Sequence, residues 1–193
     1  MPEDHRVLLD KYQFVDVARK IVGVGSVGTM CGVILLVGSD KDSLILQLKE
    51  ARESVLAPYA GASKYEHQGQ RVVIGQKLMQ AASDKFLGWT TARQSPHYHF
   101  YVRQLRDVKV GVNTALWSKA EFKTFPALVG EILARAHARS GDPAVLRGYM
   151  GKSDVFDVAI SEYARAYAKQ TEQDYRQFLN ACESGQLKAQ TLD

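Results

Sequence analysis

Three patterns in the sequence predict an α+β fold: an antiparallel sheet lobe with a glycine-loop hairpin and a packed helix, followed by a helical C-terminal region. Between residues 15 and 49 the order is strand, glycine loop, strand, turn, strand. From about residue 66 apolar residues recur at a helical spacing, and beyond residue 113 that spacing takes over. The expected division is a sheet-bearing region over 10–110 and a helical region over 111–193.

The first strand is expected over Val15–Val22, leading into Gly23-Val24-Gly25-Ser26-Val27-Gly28. The run Gly32-Val33-Ile34-Leu35-Leu36-Val37 is apolar and β-branched, so it is the second strand. Gly38 to Ser43 is a turn. Leu44–Lys49 then alternates, with Leu44, Leu46 and Leu48 on one face and Ile45, Gln47 and Lys49 on the other. Residues Lys49–Glu53 are expected to turn into a short helix, broken by Pro58. A helix follows over Glu66–Asp84, where Ile74, Leu78 and Ala82 share a face. Phe100–Arg106 is expected to be another strand. In the helical region Phe125, Leu128, Ile132 and Ala136 form a stripe. It ends at Ser140-Gly141-Asp142-Pro143, where Gly141 stops one helix, Asp142 caps the next and Pro143 starts it. The last helix is expected from Ser153 to Cys182, with an apolar seam of Phe156, Ile160, Tyr163 and Tyr167. Its length suggests that part of its surface rests against another polypeptide, or a second copy of this one.

The glycine loop carries the functional signal. Three glycines at this spacing let backbone N–H groups crowd an anion, because no Cβ holds it away. A dinucleotide-binding βαβ unit needs a helix to begin at the glycines, and here a strand begins instead. A P-loop needs Gly-Lys-Ser/Thr, which does not follow Gly28. A glycine loop capping a hairpin, with a lysine on the third strand, is the protein-kinase arrangement, and Lys49 is that lysine. The candidate cofactor-binding residues are Gly23, Gly25, Ser26, Gly28 and Lys49. Glu66 is the acid near the start of the following helix, with Glu50 and Glu53 as rivals for pairing with the lysine. Gln104 falls in the Arg103–Leu105 segment that would serve as the hinge beside an adenine. The alternative is a purely structural hairpin, its glycines relieving crowding and Lys49 solvated at a strand end.

Composition narrows the classes. The 193 residues are 46% hydrophobic and 24% charged, as in globular proteins, and suffice for one core or two small lobes. The net charge of +4 is spread without a basic block, so a nucleic-acid surface is not expected. Cys31 and Cys182 match no metal-ligand spacing and form no disulfide framework, which points to a reducing cytoplasm. The polar N-terminus does not resemble a signal peptide, and the longest apolar run, Val33–Val37, is far too short to span a bilayer. His97 and His99 are expected as a surface pair, and His137, Arg139 and Asp142 as capping and ion-pairing groups at a helix end.

Several long segments together resemble one family. They are Asp16–Thr29, Leu46–Ala51, Gly69–Val73, Phe86–Trp89, Tyr101–Asp107, Leu133–Asp142 and Tyr167–Gln170. On these the chain resembles the bacterial family known as domain of unknown function 2252. The resemblance implies proteins about twice as long, whose upstream half carries a Gly-Asp-x-His-x-x-Asn-like motif and a further acidic motif. Those look like the catalytic loop and metal-binding aspartate of aminoglycoside-phosphotransferase-like kinases. Neither occurs here, so the resemblance implies the C-terminal half of a kinase-like protein in rearranged order. ATP with Mg would be the cofactor, and its metal ligands would come from outside this chain. Phosphoryl transfer also needs metal ions held and an acceptor hydroxyl aligned. The chain is therefore expected to be, at most, part of an ATP-dependent phosphotransferase. The alternative is an interaction module or truncated product with a structural glycine hairpin.

Overall fold

The computed structural model describes residues 3–21, 23, 27–40, 42–93, 95–105 and 113–188. It divides into two compact units, Met1–Ser140 and Gly141–Asp193.

The first unit is built on five antiparallel strands. They are β1 (Tyr12–Arg19), β2 (Cys31–Gly38), β3 (Ser43–Glu50), β4 (Gly88–Ala92) and β5 (Ser95–Gln104), in the spatial order β1-β2-β3-β5-β4. Helix α1 (Glu3–Leu9) precedes them, α2 (Ala57–Ala60) and α3 (Gln68–Met79) lie between β3 and β4, and α4 (Lys119–Ser140) follows β5. The α+β class expected from the sequence is the class observed.

Strand β1 begins three residues before its expected start. It pairs from Tyr12 opposite Gly38 to Arg19 opposite Gly32, with a bulge between Phe14 and Asp16. Its extent is set by where β2 offers partners, which the local apolar run does not reveal. The β2–β3 hairpin closes through Gly38 N–H donating to the Asp42 carbonyl at 2.9 Å. Alternation in β3 places Leu44 and Leu46 in the core and leaves Ile45 exposed. With Leu36 and Phe86 they form the main apolar cluster, against which Leu8 and Leu9 of α1 pack. Helix α1 covers one part of this sheet face. Beside it lies an apolar groove of about 380 Å³, lined by Leu9, Phe14, Leu48, Trp89 and Val102 among others.

The expected helix over Lys49–Glu53 is absent. Glu50 is still paired with Phe100, and Ala51 N–H donates to the His99 carbonyl at 2.7 Å, so the chain stays extended. Nor does Pro58 break a helix. It stands in the first turn of α2, where its missing N–H would have no intrahelical acceptor.

Helix α3 is shorter than the periodicity suggested at both ends, and each end has a side-chain partner. At the start His67 is the N-cap, its Nδ1 accepting from Gln70 N–H at 3.2 Å. At the finish Arg139 of α4 donates to the carbonyls of Leu78 and Met79 at 3.1 and 2.6 Å. Guanidinium is suited to this role, since the last carbonyls of a helix lack intrahelical donors and carry negative partial charge. Val73 of α3 is fully buried. Gly69 lets the helix approach β5 closely, for a Cβ there would collide with the Phe100 carbonyl.

Helix α4 starts in a capping box. Ser118 N–H donates to Glu121 Oε2 at 2.7 Å, and Glu121 N–H donates back to Ser118 Oγ at 3.3 Å. Trp117 packs edge-on against Phe122 and Phe125. Within the expected stripe only Ala136 is buried, while Phe125, Leu128 and Ile132 stay exposed.

The second unit contains α5 (Pro143–Met150) and α6 (Val155–Glu183). Asp142 caps α5 by accepting from Ala144 and Val145 N–H at 2.8 and 3.2 Å, with Pro143 in the first turn, as the tetrapeptide signal predicts. No residue of either helix is buried. Tyr163 and Tyr167 stack with centroids 5.7 Å apart along the α6 seam.

Candidate functional site

Directly opposite residues on antiparallel strands share a face, so the strand register places the candidate lysine. Lys49 lies between Cys31 of β2 and Tyr101 of β5. Gln47 and Arg103, themselves paired, extend the same face. Buried Gln47 is satisfied from two sides: its amide donates to Cys31 Sγ at 3.7 Å, and its carbonyl oxygen accepts from Arg103 Nε at 3.2 Å. Burial raises the Tyr101 phenol above its ordinary value. Among the described residues no carboxylate lies within ion-pair distance of Lys49.

The glycine loop leaves and re-enters the sheet between β1 and β2. Lys20 N–H donates to the Cys31 carbonyl at 2.9 Å and prolongs the pairing at the loop's mouth. Gly28 has φ of 78°, a left-handed conformation in which a side chain would be strained. Gly23 is exposed, and a Cβ there would meet nothing within 4 Å. Gly25 and Ser26, also assigned to this loop, lie outside the described residues. A cleft of about 220 Å³ opens here, lined by Arg19, Lys20, Gly28, Thr29 and Cys31 among others. Its cationic side chains and glycine backbone suit an anion.

The sequence left three acids open as partners for the lysine. Glu66 is exposed and stands two residues before α3, and α3 itself, Gln68–Met79, contains no Asp or Glu. Glu50 faces a different task. Its carboxylate accepts from Met30 N–H at 2.7 Å and from Arg52 Nε at 2.6 Å. Its side chain keeps only 4% of its accessible surface. The Arg52 guanidinium holds the Glu50 carboxyl below its ordinary value, more than offsetting the upward push of burial. Arg52 Nη2 also donates to the Gly28 carbonyl. Glu53 is exposed in the segment after β3.

Gln104 ends β5 opposite Leu46. Its N–H donates to Asp84 Oδ2 at 2.5 Å, so that donor is already engaged within the fold. Glu66 and Gln104 thus sit on different elements from the glycine loop. Strand pairing sets Lys49 opposite Cys31, and Cys31 lines the loop-mouth cleft with Gly28, whereas Lys49 does not line it.

Two features escaped sequence reasoning. The Glu50–Arg52 pair is an ordinary i, i+2 spacing of charges with no motif around it. The other is a stacked histidine pair, His67 and His99, with ring centroids 4.0 Å apart. His99 Nδ1 accepts from Gln68 N–H at 3.0 Å, and His67 Nε2 lies 3.0 Å from Thr91 Oγ1. Burial, and secondarily His99, lower the His67 pKa. His99 therefore helps fix α3 to the sheet, whereas the sequence suggested a surface pair with His97. Among the described residues no three or more His, Cys, Asp or Glu side chains gather in a way that would hold a metal ion. Nor is any described helix long and apolar enough to cross a membrane.

The whole of this sheet and most of α6 fall within one family profile. The profile of uncharacterized proteins conserved in bacteria (DUF2252) matches residues 1–181, and the chain belongs to that family. No curated protein and no solved structure matches it.

Proposed function

We propose that this chain is a kinase-like nucleotide-binding lobe, holding ATP phosphates at the glycine hairpin without the acids that complete phosphoryl transfer. The observation that carries the proposal is the combination on one sheet of the β1–β2 glycine loop and Lys49 on β3, with a helix between β3 and β4. Backbone N–H groups of Gly23, Gly25, Ser26 and Gly28 would meet phosphate oxygens, and Lys49 would supply charge. Glu66, exposed just before α3, would turn to Lys49 once nucleotide is bound, and Gln104 would lie at the adenine edge. The donor set fits a polyphosphate: Lys49 has no ion-pair partner among the described residues, and Arg19 and Lys20 line the adjoining cleft. Mg would enter with the nucleotide and screen the phosphate charge, with its protein ligands supplied by another polypeptide. In this reading the chain is the C-terminal half of a larger kinase-like assembly and works in the cytoplasm. Calorimetry with MgATP tests it: weak binding that Lys49→Ala removes is expected, and no binding, or equal binding by the variant, rejects it.

A second reading is favoured by α5 and α6, in which no residue is buried although Tyr149, Tyr163 and Tyr167 are large and apolar. Here the chain is an interaction module, its C-terminal helix docking a complementary upstream half or a second copy. The glycine hairpin is then structural.

A further inference from the structure

We propose that Glu50, Arg52 and Arg71 form a clamp that sets the exit of the glycine loop and ties it to α3, acting as positioning residues for the phosphate site. This rests on the nucleotide reading for its ligand, but the clamp itself is defined by geometry alone. Its first link is the buried Glu50 carboxylate, which takes the Met30 N–H at 2.7 Å and Arg52 Nε at 2.6 Å. The second is Arg52 Nη2 donating to the carbonyl of Gly28, the residue in the left-handed conformation. The pair therefore grips the loop at two points, one donor and one acceptor, on either side of Thr29.

The third link reaches the helix. Arg71 Nη2 donates to the Arg52 carbonyl at 2.8 Å, while its Nε donates to Gln68 Oε1 at 2.8 Å. Gln68 opens α3, and its N–H is held by His99. Glycine backbone has the widest conformational freedom of any residue, so ordering Gly28 only on binding an anion would carry a large cost. Fixing Gly28 and Met30 beforehand lowers that cost. Charge-assisted bonds to a buried carboxylate are the strong ones for such a task. Helix α3 carries no acid that would join Lys49 of β3 to the helix, and the arginine relay supplies a different connection.

Amide exchange and MgATP titration of the full chain test the clamp together. Arg52 is a safer site for substitution than Glu50, because its side chain is 58% exposed whereas that of Glu50 keeps only 4%. Arg52→Ala is expected to speed exchange of the Met30 amide on the order of 10-fold while leaving the Val73 amide of the buried α3 core unchanged. Its MgATP dissociation constant should rise by a similar factor, with a smaller rise for Arg71→Ala, which touches the loop only through Arg52. Arg52→Lys keeps the charge without the fork and should recover part of both effects. Unchanged Met30 exchange in Arg52→Ala overturns the clamp, whatever happens to ATP. Faster exchange with unchanged affinity overturns its positioning role. Faster exchange in a chain whose wild type binds no MgATP upholds the clamp and rejects the nucleotide reading instead.

Discussion

At the scale of single residues, the sequence revealed which side chains were unusual more readily than what they touch. Gly28 was singled out by spacing and does adopt the left-handed backbone that favours glycine. Adjacent to Lys49 near a strand end, Glu50 reads from sequence as a rival partner for that lysine. Adjacent strand residues point to opposite faces, and Glu50 is drawn instead to Met30 and Arg52. His67 carries no sequence motif, since beyond its cap on Gln70 its partners lie 24 and 32 residues away in the strands β4 and β5. Its environment has a measurable consequence. Burial and the neighbouring imidazole lower its folded-state pKa, so the folded chain resists a proton that the unfolded chain accepts at its ordinary value near 6.5. The associated stability is fully present above that value and is lost as pH falls from it through the depressed folded value. Urea midpoints should therefore stay level from pH 8 to 7 and decline below about 6.5. His67→Asn, which keeps a side-chain acceptor at the helix cap, should flatten that decline. An unaltered pH profile in the variant would show that His67 is not its source.

At the scale of elements, strands β2 and β3 were legible because each is a short apolar run bounded by turn residues. The alternation of β3 identified Leu44 and Leu46 as core. Helix limits were less legible, because they depend on caps from distant elements. Helical spacing continues past Met79 in the sequence, yet α3 ends where Arg139 takes its carbonyls. The Ser118–Glu121 capping box was available as a Ser-x-x-Glu signal and marks the start of α4. The approach of α3 to β5 also gives a sharp expectation. Gly69→Ala places a methyl against the Phe100 carbonyl, which is backbone and has little room to yield. It should destabilise the chain by about 1–3 kcal/mol, the usual range for overpacking. Thermal or urea unfolding of the variant measures this, and a neutral effect would mean that helix and strand separate without cost.

At the scale of the whole molecule, the α+β class and the family were legible because periodicity and long motifs survive any uncertainty about boundaries. Apolar stripes on α4 and α6 were legible too, but not what covers them. Phe125, Leu128, Ile132, Tyr163 and Tyr167 remain 40–62% exposed, surface that helical periodicity alone would have assigned to a core. If α6 docks a second copy, light scattering should give a mass that rises with concentration, and Tyr163→Glu should return it to that of one chain. A constant monomer mass would exclude that docking. Docking through α6 and nucleotide binding at the glycine hairpin are separable. Isothermal titration of MgATP into the wild-type chain and the Lys49→Ala variant tests the latter most directly. Weak, measurable binding by the wild type and none by the variant is expected; no binding by either, or equal affinities, would rule out a phosphate site at the hairpin.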